Sequence, residues 1–175
     1  MRALDLLLTQ VERNHDLPVG GIGIEAQIED AKGLVHVDEI AQASPRMVSL
    51  VYGPGDFAAS MGMPSLSIGG QPAGYDIADA FHHVHTRIIV AARAAGIAAI
   101  DGPYVAIRDR EGFRVSAGRA SALGYDGKWV LHPDQIALGN EAFTPSVEEF
   151  ERARRIMDAY AAATERVQGA VLSLI

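Results

Sequence analysis

The sequence predicts an α/β fold of the (β/α)₈ TIM-barrel type, with this chain supplying about four βα units. Three observations carry that prediction. Four short apolar runs alternate with helical segments, the pattern of a parallel sheet with helical crossovers. The first run alternates: Ile22, Ile24, Ala26 and Ile28 are apolar, while Gly23, Glu25, Gln27 and Glu29 are small or polar. A strand buried on both faces of a doubly wound sheet should be apolar on both, whereas one polar face suits a strand facing a barrel lumen. Finally, the first two runs each lead into an acidic residue, Glu29 and Asp56. A closed barrel needs eight strands and typically about 250 residues. The 175 residues present hold four strands, so the expectation is half a barrel, truncated or completed by another copy.

The elements follow in order. Residues 3–14 have apolar positions at helical spacing, interrupted by acids, and do not read as a signal peptide. The first strand is expected over 21–28, a short helix over 37–43 and the second strand over 47–52. After the loop 53–56 comes a helical turn at 57–61. Residues 62–74, rich in glycine, proline and serine, read as a long loop, and loops of that length in compact domains are usually functional or disordered. A long helix is expected over 76–95, stopped by Gly96. The third strand covers 97–100 and ends in Asp101-Gly102-Pro103. A helix over 112–123 stops at Gly124, and the fourth strand runs over 128–131 to His132-Pro133. Pro145-Ser146 opens a last helix over 147–166, with Ser146 as N-cap. The chain thus divides into a βα-barrel portion, residues 1–145, and a C-terminal helix with the start of a lid, residues 146–175.

Composition bounds the function. With 49% hydrophobic and 21% charged residues the chain is of globular type, and no apolar stretch is long enough to span a bilayer. A net charge of −7 argues against a nucleic-acid partner, since phosphate binding needs a basic surface. An anionic substrate would be held locally, by a metal or a few placed cations. There is no cysteine, hence no disulfide and no thiolate metal site, and a reducing cytoplasm is the default expectation.

Glu29 and Asp56 fall where strands give way to loops and helices, the edge on which parallel α/β proteins build active sites. Two carboxylates there, without cysteine and with few histidines, suggest a hard cation such as Mg²⁺. Local structure offers the alternatives of a helix-start acid for Glu29 and an N-cap for Asp56. Glu25, on the same strand face, reads as a lumen residue or a partner of Glu29. Asp101 is either a turn residue or a site residue, since the Asp-Gly-Pro turn alone accounts for Gly102 and Pro103. Lys128 reads as a solvated strand end rather than a phosphate ligand, and His132 as a hydrogen-bonded structural histidine rather than a general base. His82, His83 and His85 read as a partly exposed helical face, because no third zinc ligand has fitting spacing. Gly20 to Gly23 lies at a strand start and is no dinucleotide fingerprint. No P-loop occurs, and Ser60 has no nucleophile-elbow context.

The stretches Ile28-Glu29-Asp30-Ala31-Lys32-Gly33 and Tyr52-Gly53-Pro54-Gly55-Asp56 resemble the citrate lyase β-subunit/malyl-CoA lyase family of Mg²⁺-dependent CoA-ester lyases. Ala99 to Tyr104, Gly124 to Trp129 and His132 to Ile136, running on to Ser146, extend the match over about residues 21–164. The resemblance implies a (β/α)₈ barrel, Glu29 and Asp56 as the protein ligands of Mg²⁺, and a CoA or thioester side lined by residues 99–104. On it Asp101 is the catalytic candidate, and Gly102, Pro103 and Tyr104 are the substrate- and CoA-binding candidates. The implied reaction cleaves a 3-hydroxyacyl-CoA, malyl-CoA-like or citryl-CoA-like, to an acyl-CoA and an oxo acid. The implied partners are a CoA thioester, a small oxo acid and further copies in a homo-oligomer. The family's N-terminal half, with its substrate-binding arginines, and its C-terminal lid aspartate have no counterpart here. The expectation is therefore a fragment or degenerate member, with a CoA-independent aldolase or an inactive assembly partner as the alternatives.

Overall fold

The computed structural model describes residues 2–64 and 68–165. Its elements are α1 (Arg2–Asn14), β1 (Ile24–Ile28), α2 (Ala31–Val35), α3 (Val37–Ala41), β2 (Met47–Tyr52), α4 (Pro54–Ser60), α5 (His82–Ala95), β3 (Ala98–Asp101), α6 (Arg110–Leu123), β4 (Gly127–Lys128), α7 (Ile136–Phe143) and α8 (Val147–Glu165). A 3₁₀ turn, Pro133–Gln135, precedes α7. One compact unit ends at Phe143, and a second begins at Thr144 and contains α8. In that second unit Ser146 and Glu149 form a capping box: Ser146 N–H donates to Glu149 Oε2 at 2.8 Å, and Glu149 N–H donates to Ser146 Oγ at 3.2 Å.

The four strands are parallel and lie in the order β1-β2-β3-β4. Each strand is beside its predecessor, with no reversal of direction across the sheet. That is the winding of a barrel, and it differs from a doubly wound sheet, whose order reverses at a switch point. Helices α3 and α5 cover one face. Ile24 and Ile28 of β1, Leu50 and Tyr52 of β2 and Ala99 of β3 are buried with Val37 and Ala41 of α3 and Ile88, Ala91 and Ala92 of α5. The alternate residues face the other way. Glu25 and Gln27 are exposed, and with Val51, Ile100 and Trp129 they line an open concavity of 380 Å³. The period-2 alternation of the first strand thus divides a helix-covered face from an open one.

The helix ends obey the local sequence. Gly96 and Gly124 close α5 and α6 in the left-handed conformation, at φ 70° and 96°, which glycine adopts without a Cβ penalty. Several boundaries differ from the sequence expectation. The helix expected from residue 76 begins at His82, because side chains claim the backbone before it: Asp79 Oδ1 accepts from Phe81 N–H at 3.0 Å and Gln71 Oε1 from Ala80 N–H at 2.8 Å. The fourth strand stops at Lys128 rather than continuing to residue 131. Leu131 N–H instead donates to Gln135 Oε1 at 2.8 Å, which folds the chain into the 3₁₀ turn. Two helices were not expected, α2 and α7. The first is capped by Asp30, whose Oδ1 accepts from Gly33 N–H at 2.5 Å. Part of the loop 62–74 and the last residue of the helix 147–166 lie outside the described residues.

Candidate active site

The C-terminal ends of β1, β2 and β3 converge through two glycines. Ile28 pairs with Tyr52, and Gly53 N–H donates to the Ile28 carbonyl at 2.9 Å. This places Glu29 against Gly53. A Cβ at Gly53 would lie 2.5 Å from Glu29 Cβ, 2.8 Å from Gln27 Nε2 and 3.2 Å from Glu29 Oε2, so only glycine leaves the Glu29 side chain its place. A Cβ at Gly102, at the end of β3, would collide with the Tyr52 carbonyl and the Pro54 ring.

Asp56 lies in the first turn of α4, not in the loop before it, and is exposed. Gly53 is the N-cap, without a side-chain bond, and Pro54 stands at the helix start, where its missing N–H costs nothing. The far end of α4 is tied back to the first strand's exit, as Ser60 Oγ accepts from Ala31 N–H at 3.0 Å. Glu29 and Asp56 therefore sit at neighbouring strand exits with α4 anchored at both ends. Glu29 also borders an open depression of 450 Å³ whose wall includes Gln27, Asp30, Lys32 and His36. Lys32, exposed, adds a cation beside Glu29 that the sequence reading did not single out.

The donors suit a hard ion. Among the described residues no group of three or more His, Cys, Asp or Glu is placed to hold a metal. Two carboxylates are what Mg²⁺ commonly takes from a protein, because it retains water and substrate oxygens in its octahedron. Gly53 leaves the Glu29 side chain its place beside the exit of β1.

Asp101 and Lys128 form a buried pair on the helix-covered face, with side chains 5% and 1% exposed. Lys128 Nζ donates to Asp101 Oδ2 at 2.5 Å and to the Gly102 carbonyl at 2.7 Å. Asp101 Oδ1 accepts from Gly102 N–H at 2.8 Å. Burial pushes the Lys128 ammonium below its usual range, and the Asp101 charge opposes that shift. The expectation of a solvated Lys128 is thus corrected: pairing of Asp101 with Lys128 across β3 and β4 turns both side chains inward. His85 is corrected as well. It is buried, with Nδ1 3.2 Å from the Tyr125 hydroxyl and 3.8 Å from Asp101 Oδ1, while His82 and His83 are exposed. Desolvation lowers the His85 pKa, with Asp101 pulling the other way.

Tyr104 is 9% exposed. Its hydroxyl donates to Asp109 Oδ2 at 2.5 Å and its carbonyl accepts from Gln135 Nε2 at 2.9 Å. The Asp109 bond raises the phenol to about 12. Gly102 is buried and Pro103 half-buried. His132 caps the 3₁₀ turn, its Nδ1 3.2 Å from Asp134 N–H, in keeping with a structural histidine.

Residues 1–133 match the HpcH/HpaI aldolase/citrate lyase family. The chain is 43% identical, over 97% of its length, to the L-malyl-CoA/beta-methylmalyl-CoA lyase of Cereibacter sphaeroides. It is 34% identical, over 89% of its length, to the malyl-CoA/beta-methylmalyl-CoA/citramalyl-CoA lyase of Chloroflexus aurantiacus. It spans about half of these relatives, 56% and 49% of their lengths. Among solved structures it resembles CitE from Mycobacterium tuberculosis in complex with magnesium, acetoacetate and coenzyme A. That likeness has a TM-score of 0.66 and 34% identity, over 80% of this chain and 51% of that one. RipC from Yersinia pestis aligns with a TM-score of 0.63 and 28% identity, over 81% of this chain and 60% of that one. These neighbours bear out the TIM-barrel type of α/β fold.

Proposed function

The chain belongs to the HpcH/HpaI aldolase/citrate lyase family, and on that premise we propose that it carries the metal-binding part of a Mg²⁺-dependent carbon–carbon lyase. The substrate is a 3-hydroxyacyl-CoA of malyl-CoA or citryl-CoA type. In the cleavage direction the hydroxyl loses its proton and the bond between the carbinol carbon and the thioester α-carbon breaks. The electron pair passes to the thioester as an enolate, which is then protonated on carbon. The products are an acyl-CoA and an oxo acid. Bound Mg²⁺ supplies a Lewis acid and a template for the oxo-acid oxygens.

The chain's own residues hold and orient. Glu29 and Asp56 are the ligands of the ion. Gly102, Pro103 and Tyr104 form the thioester side of the edge. Asp101 acts by fixing the Gly102 turn, since both its oxygens are already engaged. The observation that carries the reading is the fit of Glu29 against the missing Cβ of Gly53, beside a helix that presents Asp56 at the next strand exit. Homo-oligomeric assembly and a CoA thioester partner belong to the same proposal.

The test is calorimetric titration of glyoxylate into the protein with Mg²⁺ and then with EDTA, beside Glu29→Gln. The expected result is binding that requires Mg²⁺ and is lost in the variant. Binding indifferent to EDTA, or retained in Glu29→Gln, would overturn the assignment.

One observation favours a second reading, a CoA-independent aldolase acting on a free oxo acid. The Lys128 ammonium and the Tyr104 hydroxyl are both committed to internal partners, so neither is presented to a CoA phosphate. Slower amide exchange in residues 101–104 on adding CoA supports the thioester reading, and unchanged exchange supports the aldolase.

A further inference from the structure

We propose that Lys128 is a positioning residue for the two metal-binding carboxylates, acting through Asp101 and the Gly102 turn; this rests on the reading of Glu29 and Asp56 given above.

The contacts run without a break. Lys128 Nζ grips the Gly102 carbonyl at 2.7 Å, and the Asp101 carboxylate that it pairs with accepts the Gly102 N–H at 2.8 Å. Both peptide groups flanking the Gly102 Cα are therefore fixed by one buried ion pair. Gly102 has no room for a Cβ because the Tyr52 carbonyl and the Pro54 ring lie against it. Its backbone is the surface on which the turn from β2 into α4 rests. Gly53, in that turn, meets Glu29, with the position of its absent Cβ 2.5 Å from Glu29 Cβ. Asp56 follows Pro54 by two residues in α4. A displacement of Gly102 is thus passed to Pro54, and from there to both carboxylates.

The alternatives for Lys128 fit less well. With its side chain 1% exposed, it is not offered to a ligand in solvent. A buried ion pair is also poor value as a source of stability, because desolvation takes back most of the Coulombic gain and apolar replacements of similar volume often do as well. What such a pair supplies here is directional: one ammonium N–H holds the Gly102 carbonyl, one carboxylate oxygen holds the Gly102 N–H, and the bond from Lys128 Nζ to Asp101 Oδ2 ties the two grips together.

The experiment uses the whole 175-residue chain, with Mg²⁺ alone as the calorimetric probe and amide hydrogen exchange at Gly53 read without metal. The variants are Lys128→Met and the double variant Asp101→Asn/Lys128→Met. The double variant leaves no uncompensated charge inside, and so keeps the test open if the single one fails to fold. Gly96→Ala is the control, strained but remote from the turn. The expected result for the double variant is Mg²⁺ affinity at least tenfold weaker and Gly53 exchange at least tenfold faster, with both unchanged in the control. A folded double variant with wild-type Gly53 exchange would overturn the proposal. Failure of the unaltered chain to bind Mg²⁺ would overturn the functional reading instead, and Gly53 exchange would still decide the role of Lys128.

Discussion

Arg46 holds Glu12 with both ends of its guanidinium, Nη1 to Oε1 and Nη2 to Oε2, each at 2.6 Å. The Glu12 side chain is fully buried and its two oxygens also accept the N–H groups of Gly20 and Ile22, at 2.9 and 2.8 Å. Arg46 further donates to Asp5 and Thr9. One carboxylate and one guanidinium thus fasten α1 to the approach of β1 and to the start of β2. The apolar periodicity of α1 did not disclose this, since Leu4, Leu6, Leu7 and Val11 are exposed and the fastening is polar.

The Arg46 hydrogen bonds hold the Glu12 carboxyl down at about 2, from the usual 4.5. The unfolded chain therefore takes up this proton first as pH falls. The contribution of Glu12 is fully present above 4.5 and is lost between 4.5 and about 2. Urea midpoints measured across that window should fall with pH in the wild type. Glu12→Gln should start from a lower midpoint at neutral pH and show a flatter decline.

Gly53→Ala places a methyl group against Glu29 and Gln27. Overpacking of this kind typically costs about 1–3 kcal/mol, and here the atoms that must yield include a proposed metal ligand. The expected outcome is a loss of that size in urea unfolding, together with at least tenfold weaker Mg²⁺ binding by calorimetry. Wild-type Mg²⁺ affinity in a folded Gly53→Ala protein would remove Glu29 from the site.

His85 titrates in the opposite sense to a histidine that gains a partner. Burial depresses its pKa below the usual 6.5 despite the nearby Asp101, so the unfolded chain is protonated first. Its contribution is complete above 6.5 and is lost as pH falls through the folded-state value. Thermal unfolding should show a decline in Tm below that point which His85→Gln lacks. The same slope in both proteins would assign the titration elsewhere.

The parts legible in the sequence are those set by local chemistry. Gly96 and Gly124 stop helices because a left-handed terminus favours glycine, and the alternation from Ile24 to Ile28 separates two sheet faces because side chains alternate along a strand. The proposed metal carboxylates were legible for a related reason, as strand exits are marked by the change from apolar run to Gly, Pro and acid. What was illegible depends on partners distant in the chain. Lys128 is buried only because β4 aligns it with Asp101, and His85 only because α5 turns that position toward Tyr52 and Tyr125. The start of α5 and the end of β4 were misplaced because Gln71, Asp79 and Gln135 capture backbone groups by side-chain bonds that periodicity does not register.

The strand order β1-β2-β3-β4 has a consequence for how the chain acquires its shape. Consecutive strands pair, but each pairing closes a helical crossover: the partners Ile28 and Tyr52, Leu50 and Ala99, and Ile100 and Gly127 lie 24, 49 and 27 residues apart in the chain. Loop-closure entropy must be met before each of these contacts forms, most of all between β2 and β3, so the sheet is built from non-local pairings and is expected to assemble slowly for its size.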